Sequence, residues 1–127
     1  MQLGMIGLGR MGASMARRLM RSGHELVVHD RAGAAIAAVV ADGATGAASP
    51  RELALKLSAL RAVWLMVPAG AVEATLEELA PLLAPGDTVV DGGNSYYVDD
   101  LRRARALAHR GLQYIDVGTS GGVWGLE

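Results

Sequence analysis

Short apolar runs alternate with stretches of helical period along the whole chain. "QLGMI" (Gln2–Ile6) has the length and composition of a buried strand. From 11 to 22 the period becomes helical. Met11, Met15 and Leu19 share one face, Arg17, Arg18 and Arg21 fall off it, and Gly23 ends the run. "ELVVH" (Glu25–His29) predicts a second strand, 32–41 an Ala-rich helix weakened by Gly33, and 45–48 a brief third strand. "SPRE" carries the start signal of a helix: Ser49 as N-cap, Pro50 in the first turn, Glu52 three residues after the cap. "AVWLMV" (62–67) is a fourth strand. Val72, Leu76, Leu79, Ala80 and Leu83 make one helical face, with Glu73, Glu77 and Glu78 elsewhere. Pro85-Gly86-Asp87 turns the chain into a fifth strand, Thr88–Asp91. Leu101, Ala104 and Ala108 are expected to line one face of a later helix, with Arg102, Arg103, Arg105 and Arg110 facing water; 112–117 is a sixth strand.

Strand–helix repetition of this kind predicts an α/β fold: a doubly wound, mostly parallel, Rossmann-like sheet of six strands with helices on both faces. No linker or low-complexity tract interrupts it, so residues 1–127 are expected to form one domain.

Composition narrows the chemistry. Twelve basic residues against 13 acidic ones give a net charge of −1, which argues against nucleic acid or a membrane surface as partner. The absence of Cys excludes disulfides, thiolate zinc sites and thiol nucleophiles. His24, His29 and His109 have no metal-ligand spacing, so no metal is expected. No apolar run approaches the ~20 residues of a membrane span, and the start "MQLGMIGLG" lacks the basic region of a signal peptide. A cytoplasmic protein is the expectation.

Two groups of residues carry candidate chemistry. "GLGRMG" fits G-x-G-x-x-G through Gly7, Gly9 and Gly12, after a strand and at the opening of a helix. Gly7 would permit the tight turn, Gly9 would let backbone approach a diphosphate, and Gly12 would let the helix pack on the sheet. The helix N-terminus would offer N–H groups to the phosphates. Asp30 ends the second strand 18 residues after Gly12, near the spacing of a ribose-binding acid. A carboxylate there accepts from ribose hydroxyls and repels a 2′-phosphate, whereas Arg31 could pair with that phosphate or stack on adenine. NAD is therefore favoured as cofactor, with NADP possible. The other reading of the glycines is a tight βα turn alone.

The second group lies beyond the carboxyl ends of strands four to six, where open α/β sheets bind ligands: "MVPAG", "DGGNSYY" and "GTSGG". Asn94 can donate and accept, and Ser120 precedes Gly121 and Gly122, where hydroxyl and N–H groups could converge on an anion. The alternative is that Asn94 and Ser95 cap a helix and the glycines form a turn. Tyr96, Tyr97 and Trp124 are read as packing residues.

With "GMIGLGRMG", "LMVPAG", "DGGNSYYVDD" and "DVGTSGGVWGLE" the chain resembles the N-terminal cofactor domain of the 6-phosphogluconate dehydrogenases, within the β-hydroxyacid dehydrogenase superfamily. Relatives acting on 3-hydroxyisobutyrate look similar at the first motif and differ at "DGGNS". The resemblance implies that Gly7, Gly9 and Gly12 hold the cofactor diphosphate, with Arg10 counted beside them, and that Met11 lies towards the nicotinamide. It implies that Val67, Ala69 and Asn94 line the cofactor, and that Asn94, Ser120, Gly121 and Gly122 contact the sugar acid. NADP-using members tend to have Asn-Arg-Thr where this chain has Asp30-Arg31-Ala32, and many have Lys where Pro68 stands; both departures resemble the NAD-preferring branch.

The implied reaction is oxidative decarboxylation of 6-phosphogluconate to ribulose 5-phosphate, with a Lys as base and a Glu as acid. Neither role matches a position here: the one Lys is Lys56, and Glu127 is the last residue. The expectation is that no catalytic residue lies in this chain, that the helical catalytic domain is absent from it, and that full-length relatives are homo-oligomers. The chain alone is then expected to bind cofactor with little turnover. Two further readings stand beside this one: a stand-alone NAD-binding module or sensor, and a dehydrogenase of another β-hydroxyacid.

Overall fold

The computed structural model describes residues 1–92 and 97–117. Six strands form one sheet: β1 (Gln2–Ile6), β2 (Glu25–His29), β3 (Thr45–Gly46), β4 (Ala62–Leu65), β5 (Thr88–Asp91) and β6 (Gln113–Asp116). Their spatial order is β3-β2-β1-β4-β5-β6, and every neighbouring pair is parallel. This is the doubly wound Rossmann-like order, with its reversal between β1 and β4. The helices are α1 (Arg10–Arg21), α2 (Gly33–Val40), α3 (Pro50–Lys56), α4 (Val72–Leu79) and α5 (Tyr97–Ala108). Among the described residues no helix is long and apolar enough to cross a membrane.

The central strands are apolar because both faces are covered. On one side Leu53, Leu65, Val72, Leu79, Val89 and Leu107 form a core with α3, α4 and α5. On the other Met5, Ala16, Val28 and Val39 form a core with α1 and α2. Gly12 and Ala16 are the buried residues of α1, with Met15 and Leu19 packed at the rim of that core. Small residues next to the sheet let α1 approach closely.

Below the sheet, at the strand starts, Asp87 is fully buried. It accepts from the N–H groups of Arg61 (2.7 Å) and Ala84 (2.8 Å) and from the Arg61 guanidinium at 3.1 Å. Its carboxylate thus ties the entries of β4 and β5 together. Burial pushes its pKa up, but those donors outweigh burial and hold it below the usual carboxylate value.

At α3 the Ser49 hydroxyl accepts from the Glu52 N–H at 3.0 Å, as "SPRE" predicts. Glu52 reaches back to the N–H of Ala48 at 2.6 Å, one residue ahead of the cap.

Three expectations are corrected. β4 ends at Leu65, so Val67 lies outside it; the chain bends at Pro68 into a 3-10 turn, Ala69–Ala71, closed by the Ala71 N–H on the Pro68 carbonyl at 2.8 Å. β3 covers two residues rather than four. The face of α5 is also shifted. Leu101 and Ala108 are exposed, whereas Arg103 and Leu107, four residues apart, face inward. Arg103 is 6% exposed because Glu73 of α4 receives its Nε at 2.8 Å. A charge can occupy an inward position when a partner of opposite charge meets it. Arg102 and Arg105 are exposed, as expected, and Arg110 lies past the end of α5.

Candidate functional site

The glycine segment joins β1 to α1 at the sheet's reversal. Gly7 has φ +99°, and a Cβ there would stand 2.6 Å from the backbone of Met66. Its N–H donates to the His29 carbonyl at 2.9 Å. A Cβ on Gly12 would meet the Gly7 carbonyl oxygen at 2.0 Å. These two glycines are therefore demanded by the protein's own packing. Gly9 differs: a Cβ there would meet nothing within 4 Å. Gly9 is also the N-cap of α1 and gives it no side-chain cap. The first N–H groups of a helix lack intrahelical partners, and here they open beside a glycine that leaves space above the backbone. That combination suits an anion approaching α1.

Asp30 stands at the end of β2. Its Oδ2 accepts from the N–H of Leu8, within the glycine segment, at 2.7 Å, and its Oδ1 accepts from the N–H of Ala32 at 2.8 Å. Each carboxylate oxygen has a second acceptor site, so Asp30 can pin the loop and still receive hydroxyl groups.

A cleft of about 470 Å³ opens between these elements and α4. Gly7, Gly9, Asp30, Arg31 and Val67 line it. Arg10, Met11 and Gly12 are not part of its wall: Arg10 is exposed, Met11 half-buried and Gly12 buried. Ala69 opens the 3-10 turn beside the cleft. Asn94, Ser120, Gly121 and Gly122 lie outside the described residues, as do Ser95, Tyr96 and Trp124.

Sequence reasoning missed the far wall. It consists of Ala71, Ala74, Thr75 and Glu78; Pro50 and His29, which also line the cleft, were missed as well. The signal was present: 71, 74, 75 and 78 have helical spacing and complement the buried positions 72, 76 and 79. Ala71 and Ala74 keep that wall flat. The Thr75 hydroxyl turns back to the Ala71 carbonyl at 2.8 Å, so Glu78 is the polar group this wall presents. His29 Nδ1 meets the Ala47 carbonyl at 2.9 Å; a carbonyl only accepts, so Nδ1 carries the proton. The cleft thus has a carboxylate and N–H groups at one side and, opposite, a flat wall of small side chains that ends at Glu78. Such a space accepts a planar ring joined to a sugar and an anionic group.

Comparison with known proteins agrees with this chemistry. A family model described as the NAD binding domain of 6-phosphogluconate dehydrogenase matches residues 2–127. An NAD(+)-dependent, decarboxylating 6-phosphogluconate dehydrogenase of Haloferax volcanii is 48% identical over 128 residues, covering 100% of this chain and 42% of the relative. A solved 3-hydroxyisobutyrate dehydrogenase from Salmonella typhimurium superposes with a TM-score of 0.87 at 31% identity, over 98% of this chain and 44% of the other. The Plasmodium falciparum 6-phosphogluconate dehydrogenase, solved with NADP+ and with its substrate, has a TM-score of 0.88 at 24% identity; it covers 99% of this chain and 29% of its own. At that identity the likeness concerns the fold. The chain spans less than half the length of each of these proteins. Since the family match runs through both the glycine segment and the acid that pins it, this chain belongs to the family of NAD-binding domains of 6-phosphogluconate dehydrogenase.

Proposed function

We propose that the cleft between the glycine segment and α4 is the NAD site, and that the protein to which this domain belongs oxidises and decarboxylates 6-phosphogluconate. The observation that carries the cofactor reading is Asp30, which lines the cleft while its two oxygens accept from the N–H groups of Leu8 and Ala32. The adenosine ribose would hydrogen-bond to the remaining acceptor sites of this carboxylate. A 2′-phosphate would meet its negative charge, which favours NAD over NADP despite Arg31 next door. The diphosphate would lie over Gly9 against the first turn of α1. Arg10 and Met11 stand at that turn, on the side where the nicotinamide would continue towards Val67, Ala69 and Asn94. Bound NAD would supply the hydride acceptor. Asn94, Ser120, Gly121 and Gly122 would hold the sugar acid.

The substrate rests on the Haloferax relative and on the "DGGNS" and "GTSGG" motifs. A second reading, another β-hydroxyacid as substrate, is supported by the likeness to the 3-hydroxyisobutyrate dehydrogenase. Turnover of the two acids by the whole protein separates them.

Calorimetric titration with NAD and NADP tests the cofactor site. The expected result is binding of both, NAD at least about tenfold tighter, a difference of ~1.4 kcal/mol. In Asp30→Asn the amide keeps one acceptor and sets a donor against a donor, so NAD affinity falls and the preference narrows. Equal affinities for the two cofactors, unchanged in the variant, would remove Asp30 from the site.

A further inference from the structure

Four polar side chains from four elements form one chain of contacts behind the cleft. Glu73 lies in the first turn of α4, just past the 3-10 turn that follows β4. Its Oε1 accepts from Arg103 Nε at 2.8 Å and from Arg102 Nη2 at 2.6 Å. The Arg103 guanidinium lies against Tyr114 of β6. The Tyr114 hydroxyl donates to Asp91 Oδ2 at 2.8 Å. Asp91 is fully buried and ends β5. The next residue, Gly92, donates its N–H to the Leu65 carbonyl at the end of β4, at 2.9 Å.

Packing alone does not call for this arrangement. Arg103 is buried while Glu73 is 41% exposed, and an apolar side chain of similar volume often replaces a buried charged one and its partner at no cost to stability. What the polar chain adds is direction, because each hydrogen bond fixes an angle as well as a distance. Its two ends lie at two different parts of the sheet edge. Glu73 follows the segment 67–71, which includes Val67 and Ala69. Asp91 closes β5, three positions before Asn94 in the sequence. The strand order β2-β1-β4-β5 also fixes which part of a ligand would come near the ends of β4 and β5. A dinucleotide with one ribose at Asp30, past β2, crosses β1 at the glycine segment and ends over β4 and β5.

We propose that Arg103 is a positioning residue that ties the start of α4, just past the segment 67–71, to the end of β5 at Asp91, and so shapes the nicotinamide half of the site without touching the cofactor. This rests on the cofactor site proposed above. The adenosine half, with Asp30 and Arg31 at the end of β2, is not joined to this chain of contacts.

The test compares two ligands, NAD and ADP-ribose, which lacks the nicotinamide. Both are titrated into the unaltered chain and into Arg103→Met, Arg103→Lys and Tyr114→Phe, with thermal unfolding followed in parallel. Arg103→Met is expected to weaken NAD about tenfold, ~1.4 kcal/mol, while ADP-ribose changes less than about twofold. Arg103→Lys recovers part of the loss, since an ammonium reaches Glu73 without the guanidinium's fork. Tyr114→Phe shows the same split through loss of the Asp91 bond, and decides the matter if Arg103→Met does not fold. Equal weakening of the two ligands in a variant that still unfolds cooperatively would make Arg103 a structural residue and overturn the proposal, as would an unchanged NAD affinity. An unaltered chain that binds ADP-ribose no better than it binds free ribose would instead strike the cofactor site, and the positioning role with it.

Discussion

Gly9 and Gly12 stand three residues apart in one motif, and the structure gives them opposite roles. A methyl group on Gly12 would sit 2.0 Å from a backbone oxygen that cannot move without opening the turn. A methyl group on Gly9 meets no protein atom. Gly12→Ala should therefore destabilise the fold by about 2 kcal/mol or more, in the upper range of overpacked substitutions. Gly9→Ala should cost less than about 1 kcal/mol, the loss from Gly to Ala at an N-cap. Its effect belongs to the ligand, with NAD affinity falling by about tenfold or more, ~1.4 kcal/mol. Chemical denaturation and NAD titration of the two variants check this. A Gly9→Ala chain with full NAD affinity would leave the motif as a turn. The sequence pattern alone could not separate the two glycines, because G-x-G-x-x-G records only that both lack a side chain.

At the level of elements, local signals carried most of the fold. Gln2–Ile6, Glu25–His29 and Thr88–Asp91 were legible to the residue, since each is a short apolar run bounded by turn residues. α3 was legible from Ser49, Pro50 and Glu52. What the pattern missed depends on contacts far apart in the chain. Arg103 turns inward because Glu73, thirty residues earlier, meets it; no local period contains that fact. Val67 left β4 because Pro68 opens a turn. Asp87, read only as part of a turn, is the buried link between the entries of β4 and β5. Its pKa is lower in the folded protein than in the unfolded chain. It therefore stabilises the fold fully above the unfolded carboxylate value of about 3.9, and the contribution is lost as pH falls through the lower folded value. Asp87→Asn leaves at least one of the three donors without an acceptor and removes the negative charge from all of them. It should cost about 2 kcal/mol at neutral pH, and the gap to the unaltered chain should shrink as the pH drops below about 4. Urea denaturation from neutral to acid pH measures the gap. Because Glu52 and Glu73 are also held low, both proteins weaken in acid, and the difference between the curves isolates Asp87. A constant gap would mean that Asp87 is not the group that titrates.

Across the whole molecule, holding a dinucleotide and moving protons are separable tasks. On the cofactor reading proposed above, the cleft would supply the first: an acid for ribose hydroxyls, an open helix end for phosphates, a flat wall for a ring. For the second, the resemblance implies a Lys as base and a Glu as acid. Lys56 is the sole Lys of the sequence, and it is engaged elsewhere. Its Nζ donates to the Gly46 carbonyl at 2.8 Å and pairs with Glu52 at 2.9 Å, and it forms no part of the cleft wall. His29 lines the cleft, but its Nδ1 proton is directed to Ala47. General acid–base catalysis commonly contributes about 10²–10⁴-fold to a rate, and precise placement of the substrate contributes further. The 127-residue chain spans 42% of the Haloferax relative's length. It should therefore bind NAD and yet form NADH from 6-phosphogluconate at least about 10²-fold more slowly than a whole relative. Following NADH absorbance with chain and relative at matched concentration measures this. Binding without turnover would place the proton-transfer groups outside residues 1–127. Turnover near the relative's rate would mean that an acid–base pair lies within them, and His29, the imidazole in the cleft wall, would be the first residue to replace.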